Sequence, residues 1–455
     1  MELLIKNGII INSNRTEKAD VFIKNREIAL IRANIDIPEN VKVINAEGKY
    51  VIPGGIDPHV HMHLPISGGF SSDDFRTGSR AAIFGGTTTL LDFVTPYKSQ
   101  SLAEALDQRK LEAEESITDY SFHVSPVDWH QGIDEEIAQC IAEGISSFKV
   151  YLAYLDTIGL NTDVFEKVLK TVGRLGGMVT IHCETGKEIE EKRTQFFRNG
   201  NTQPAYHPLS RPSDTESNAV KKAIALARKF DCPIYIVHVS SGESLIHIEK
   251  AKSSGQKVFA ETCPQYLLLD DSRYQGIFEE TSKYVMSPPL RKKADNDALW
   301  NALDSGIIDT VGTDHCPFTL EQKKYGINDF RKIPNGAGGV EHRLELLYTY
   351  GVLANKLSLN KWVDLCSAKP AELFGLKSKG KIAERMDADI VIWNPEYEST
   401  ISKNTHYQNC DLNIYEDFKT KGKAETVIRN GEIMVENGEL KFELSNGKYS
   451  KTHRP

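Results

Sequence analysis

The chain lacks a cysteine framework. Its seven cysteines, at 140, 183, 232, 263, 316, 366 and 410, lie more than thirty positions apart and form no CxxC pair. That pattern fits scattered reduced thiols in a cytoplasmic protein rather than a disulfide-stapled secreted domain. No apolar run reaches the roughly 18 residues that a membrane span needs. The opening "MELLIKNGIIINSN" has neither a basic leading region nor a small-residue cleavage site, so it does not read as a signal peptide. There is no basic stripe either: 63 acidic and 55 basic side chains are interspersed, giving a net charge of −8. This excludes an electrostatic nucleic-acid binder. No tract is of low complexity, and with 40% hydrophobic and 26% charged residues the chain is globular throughout. The expected partner is a small molecule, with no nucleic acid and no membrane.

What is present changes texture along the chain. The first fifty residues alternate short β-type runs with turns ("LLIKNGIII", "DVFIKN", "IALIRA", "VKVINAEGKYVI"), and the end repeats the style in "ADIVIWNP", "ETVIRNGEIMVENGEL" and "KFELS". Neither end has enough strands to bury a core alone, so the two are expected to pair into one small β-sandwich from residues 1–51 and 380–455. Between them, over 52–379, strand-like runs beginning near Val51, Thr87, Thr118, Ser147, Met178, Pro233, Lys257 and Ile307 alternate with helical patterns. Eight strand-then-helix units are the number that closes a (β/α)8 TIM-type barrel, although a doubly wound open sheet can use as many. The fold class expected is therefore α/β. Ser213 with Glu216 three positions on predicts a capping box at one helix start.

Chemistry gathers at the predicted strand ends. In "GGIDPHVHMHLP", His59 and His61 stand two apart, on one face of the first barrel strand, as a chelating pair would. In a barrel, active sites lie at the C-terminal ends of strands. "MVTIHCE" ends the fifth with His182, "PIYIVHVSS" the sixth with His238, and "DTVGTDHC" the eighth with Asp314. "SSFKVYLAY" puts Lys149 on the fourth strand, facing inward. Any one of these alone is compatible with a satisfied core residue; four histidines and an aspartate at strand ends of one barrel point to metal. Lys149 fits only if burial and nearby positive charge favour its neutral amine, which carbon dioxide converts to an anionic carbamate.

Together "GGIDPHVH", "SSFKVYLAY", "TIHCE", "IVHVSS", "MSPPLR", "GTDHCPF" and "KIPNGAGGVEHRL" resemble the amidohydrolase superfamily, in its cyclic-amidase branch of hydantoinases and dihydropyrimidinases, over nearly the whole chain. The resemblance implies two divalent metal ions, usually zinc: His59, His61 and Asp314 on one, His182 and His238 on the other, and a carbamate on Lys149 bridging them. It implies hydrolytic opening of a hydantoin or 5,6-dihydropyrimidine to an N-carbamoyl amino acid by a hydroxide shared between the metals. Asp314 would move the proton, Tyr154 would donate to the oxyanion, and main chain at Ser287 and Asn335 would grip the ring's amide and imide edge. It also implies a homotetramer.

The residues argue against neighbouring readings. A dihydroorotase carries an arginine after its histidine pair, whereas this chain reads Met62, His63, Leu64; the asparagine and glutamate typical of allantoinases are also missing. A non-catalytic scaffold would have no use for a full ligand set. "CETGKEIE" lacks the spacing of a phosphate loop, and "NGAGG" follows no strand. Leu64, Pro65, Ile66 and Phe70, with Tyr151 and Leu155, are expected to form a mostly apolar mouth around the ring substituent. His63 lies past the metal pair and reads as a pocket-mouth or structural residue.

Overall fold

In the computed structural model, which describes residues 2–38, 40–66, 69–98, 100–441 and 446–453, eight strands pair in parallel in chain order. They are Gly55–Val60, Thr87–Val94, Asp119–Val124, Ser147–Tyr151, Met178–His182, Ile234–Ile236, Val258–Thr262 and Thr310–Val311, hereafter barrel strands 1 to 8. Every residue of strands 1 to 3 is buried, as befits a sheet covered on both faces. The edges of the sheet meet just past strand 8. There the His61 N–H donates to the His315 carbonyl at 2.8 Å and the Asp314 N–H to that of His59 at 2.9 Å. The ring is thus closed at the strands' C-terminal ends, where the metal-type residues cluster.

Helices cover the outside. Thr162–Arg174 shows why: Asn161 caps it by accepting from the Val164 N–H, and Phe165, Val168, Leu169 and Val172 recur at helical spacing on the buried face. The capping box expected at Ser213 and Glu216 does not form. Pro212 occupies the cap of helix Ser213–Lys229 with no side-chain cap bond. Glu216 is buried and accepts instead from the Ser240 and Ser241 N–H groups and the Ser244 hydroxyl, pinning the turn after strand 6. Among the described residues, no helix is long and apolar enough to cross a membrane.

The run beginning near Val51 belongs to the sandwich as Tyr50–Pro53, and barrel strand 1 starts two residues later at Gly55. A Cβ on the intervening Gly54 would lie 2.2 Å from the Thr88 hydroxyl, so only glycine lets the chain pass so close to strand 2. Two sheets make the sandwich. One is built from Leu3–Lys6, Asp20–Lys24, Glu27–Arg32 and Lys42–Asn45; the other joins Ile9–Ile11, Thr16–Lys18 and Tyr50–Pro53 to Ile390–Thr400, Lys419–Arg429, Glu432–Glu436 and Glu439–Leu440. Leu3, Ile5, Val21 and Ile23 pack against Ile10, Val51, Ile390, Ile392 and Ile428 between them. Asn430-Gly431 and Asn437-Gly438 both have positive φ at each residue, the backbone of a tight hairpin turn. Of "KFELS", residues 442–445 lie outside the described residues, as do Ser67 and Gly68 of "LPISGG". Residues 446–453 run along the barrel, where the Ser450 N–H donates to the Tyr120 carbonyl and the Thr452 N–H to that of Gly144.

Candidate active site

The strand ends bring two groups of ligand-type atoms side by side. In the first, His59 Nε2 lies 3.2 Å from His61 Nε2, and Asp314 Oδ1 lies 3.1 Å from the former and 3.2 Å from the latter. The potential donor atoms of this trio all fall within 4.8 Å of one another. In the second, His182 Nδ1 faces His238 Nε2 at 2.9 Å. The His59 and His238 rings are 5.4 Å apart, so the groups share one mouth. Lys149 rises from strand 4 inside the barrel, almost fully buried, with its ammonium 4.5 Å from the Phe93 ring centre and 5.0 Å from that of Tyr151.

Two buried carboxylates that sequence reasoning did not single out orient the histidines. Glu261 sits 2.7 Å from His59 Nδ1 and also accepts from the Tyr235 hydroxyl and the His238 N–H. Glu184 sits 2.8 Å from His182 Nε2 and is itself gripped by Arg211 at 2.6 Å. Each carboxylate occupies one ring nitrogen and leaves the other facing the shared mouth, the arrangement by which outer partners fix a metal-binding tautomer. A signal existed for both: Glu184 stands two past His182, on the same face, and Glu261 is the one charged residue of strand 7.

The electrostatics suit cations. Burial lowers the pKa of His61 and His182 against the pull of Asp314 and Glu184, and drives that of His238 well below its usual value. At His59 burial works downward too, but Glu261 and Asp314 outweigh it and lift the group to about 8. Burial would raise Asp314, yet His59 and His61 hold it well below the ordinary carboxylate range. Lys149 is pushed down to about 8 by burial, although Asp314 and Glu261 work the other way. Histidine and carboxylate donors in these states fit a divalent first-row cation.

Three site residues carry strained backbone. Tyr154, His238 and Asp314 have φ of 57°, 40° and 53°, a left-handed region that costs non-glycine residues about 1–3 kcal/mol each and persists where function requires the geometry. The Tyr154 ring lies 5.3 Å from that of His182, with the Arg211 guanidinium 5.5 Å from its centre. Burial raises the Tyr154 pKa, so the phenol stays a proton donor at neutral pH. Ser287 lies within hydrogen-bonding reach of the Tyr154 side chain, and Asn335 Oδ1 is buried with no hydrogen-bond partner among the described residues.

The residues expected at an apolar mouth divide. Leu64, Pro65 and Phe70 line a cleft of about 160 Å³ with Phe93 and Tyr97, whereas Ile66 is half-buried beside it in sequence. Tyr151 is buried deeper, beside Lys149. Leu155 instead borders a cavity of about 730 Å³ that also contains Asp156, Lys187, Glu190, Arg193 and Arg211, a wall more charged than expected. His63 stays outside the ligand groups: its ring stacks on Phe70 at 3.8 Å and its N–H donates to the Asp73 carbonyl at 2.7 Å, which fixes the loop after strand 1.

Comparison with known proteins agrees with this geometry. The amidohydrolase family profile matches residues 50–434. The chain is 40% identical over 450 residues to a dihydropyrimidinase of Arabidopsis thaliana, covering 98% of this chain and 85% of that one. It is 39% identical over 455 residues to a D-hydantoinase of Geobacillus stearothermophilus, covering 99% and 96%. The crystal structure of a dihydropyrimidinase from Brevibacillus agri superposes with a TM-score of 0.98 at 39% identity, over 100% of this chain and 99% of the other. With its closed parallel barrel, its histidine–aspartate cluster and similarity over its full length, this chain belongs to the amidohydrolase family, in the hydantoinase and dihydropyrimidinase branch, and is a cyclic amidohydrolase.

Proposed function

We propose that the enzyme hydrolyses the cyclic amide or imide bond of a hydantoin or a 5,6-dihydropyrimidine, giving an N-carbamoyl amino acid. The observation that carries this reading is the His59, His61 and Asp314 cluster standing beside His182 and His238, with Lys149 inside the same mouth. Similarity to proteins named dihydropyrimidinase and D-hydantoinase supports the ring class. His59, His61 and Asp314 would hold one zinc ion and His182 and His238 a second, with Lys149 between them. Bound there, such cations supply Lewis acidity toward the ring carbonyl and water of lowered pKa.

The chain's own groups do the rest. Burial brings the Lys149 pKa down to about 8, which favours its neutral amine, free to add carbon dioxide at Nζ, release a proton and become a carbamate. The Asp314 carboxylate, held ionised, takes the proton of the attacking water and hands it to the ring nitrogen as the C–N bond breaks. The Tyr154 phenol donates to the carbonyl oxygen as that atom gains negative charge. Ser287 and Asn335 hold the ring's amide and imide edge. An acidic ring such as dihydroorotate is disfavoured, because the arginine that follows a dihydroorotase's histidine pair is missing where this chain reads Met62, His63, Leu64. Similarity to the branch supports a homotetramer, which light scattering of the purified enzyme would report as four times the chain mass. Seven free cysteines, six of them buried, fit a cytoplasmic enzyme.

The experiment is a ring-opening assay of metal-loaded protein, prepared with bicarbonate, on dihydrouracil, hydantoin, a bulky 5-substituted hydantoin, allantoin and dihydroorotate. Turnover of dihydrouracil or a hydantoin to the N-carbamoyl acid is expected. Silence on all five from protein holding two metal ions per chain would contradict the reading.

A further inference from the structure

Lys323 is a lysine buried without a carboxylate partner, and that burial pushes its pKa down to about 7. It is 1% exposed, and among the described residues it forms no ion pair with a carboxylate. Its ammonium donates to three main-chain carbonyls: Val285 at 3.0 Å, Pro334 at 2.7 Å and Gly336 at 2.8 Å. Three carbonyl acceptors around one nitrogen match the three donors of the ammonium, which has no acceptor, so that form is saturated here. Burying an ammonium is costly unless every proton is used, and three carbonyl dipoles aimed at one point repel one another without a cation. Such a group is retained where the geometry it imposes matters.

The three carbonyls identify that geometry. Val285 lies two residues before Ser287, and Pro334 and Gly336 bracket Asn335. The Gly336 N–H also joins these two segments, donating to the Val285 carbonyl at 3.0 Å. Lys323 ends the short helix Leu320–Lys323, whose start is fixed by Thr319 accepting from the Gln322 N–H. Gln322 also reaches the Phe70 carbonyl at 2.7 Å, so the helix that carries Lys323 touches the loop after strand 1 as well.

We infer that Lys323 is a positioning residue for the cyclic substrate: its ammonium sets the spacing of the main chain at 285–287 and 334–336 and so places Ser287 and Asn335 against the ring. The inference rests on the reading of those two segments as the ring's amide and imide grip. It assigns Lys323 no contact with substrate or metal.

The test uses Lys323→Ala and Lys323→Met in the full-length, metal-loaded enzyme, on the ring that the wild type opens best. Loss of the staple is expected to raise KM about tenfold or more while kcat stays within a factor of about three and metal content is unchanged. Ammonium or methylammonium chloride should return the KM of Lys323→Ala toward that of the wild type, with no effect on Lys323→Met, whose side chain fills the space. Folded variants with wild-type KM, or with a lowered melting temperature and unchanged kinetics, would overturn the inference and leave Lys323 a purely structural residue. If both variants fail to fold, Lys323→Arg carries the test, because its planar fork cannot reproduce the three-carbonyl geometry; a wild-type KM there would also overturn it. Should the wild type open no ring, the substrate reading itself has failed. Hydrogen exchange at the Gly336 amide then reads the staple alone: faster exchange in the variant supports it, and unchanged exchange rejects it.

Discussion

The division of labour around His182 is legible atom by atom. Nε2 is spent on Glu184 and Nδ1 is left for the mouth, while Arg211 holds Glu184 in place. Burial alone would raise the Glu184 pKa, but Arg211 and then His182 outweigh it and bring the group to about 2. A carboxyl depressed in the folded state contributes stability that is full above its unfolded value and is lost as pH falls through the folded one. The window here runs from pH 4.5 down to about 2, and the contribution is on the order of 3 kcal/mol. Urea unfolding of metal-free protein across that window should show this loss in the wild type and a flatter profile in Glu184→Gln. Identical slopes would contradict the assignment. His59, His61 and His182 could be read from sequence because a strand's period of two and its end fix where their side chains go. His238 and Asp314, by contrast, lie past strands ending at Ile236 and Val311, in left-handed backbone that no strand period predicts. Glu261 could not be paired with His59 in that way, since the two stand 202 residues apart and no local pattern links them. Lys323 was equally invisible: its three acceptors are backbone atoms, which leave no mark in the sequence.

Elements meet the same limit at their ends. The order of the eight strands follows from alternation, because parallel neighbours joined by helices take their places in sequence. What closes the ring does not follow. Arg343, fully buried, donates to the carbonyls of Ile56 and Val311 and to the Thr87 hydroxyl, tying strands 1, 2 and 8 together near their starts. Replacing it with methionine strands those acceptors and removes charge-assisted bonds worth about 1.5–3 kcal/mol each. The midpoint of urea unfolding of Arg343→Met should therefore fall by the equivalent of at least about 3 kcal/mol, and an unchanged midpoint would refute the role of a barrel clasp. Glu216 teaches the converse lesson. Its spacing from Ser213 matches a capping box, but a tertiary demand, the unpaired N–H groups after strand 6, claims the carboxylate first.

At the scale of the whole molecule, the chain ends are interleaved and stapled to the barrel. Lys379 pairs with Asp119 of strand 3 at 2.7 Å and with Asp389, next to the sandwich strand Ile390–Thr400, at 2.6 Å. Alternating hydrophobicity reveals that both ends are β-rich and which faces are inward. It does not reveal that Ile392 lies opposite Val51, because partners more than three hundred residues apart are chosen by tertiary fit. This architecture holds strands 1, 4, 5, 6 and 8 in register so that five ligand-type side chains and one buried lysine converge. On the proposed function, this convergence would hold two metal ions and be completed by a carbamate on Lys149. The most direct test is Lys149→Ala, purified with bicarbonate and zinc and measured for both metal content and ring opening. Fewer than two metal ions per chain and no turnover are expected, with partial return of both when acetate or propionate supplies the missing carboxylate. A variant that retains two metal ions and wild-type turnover would contradict this reading.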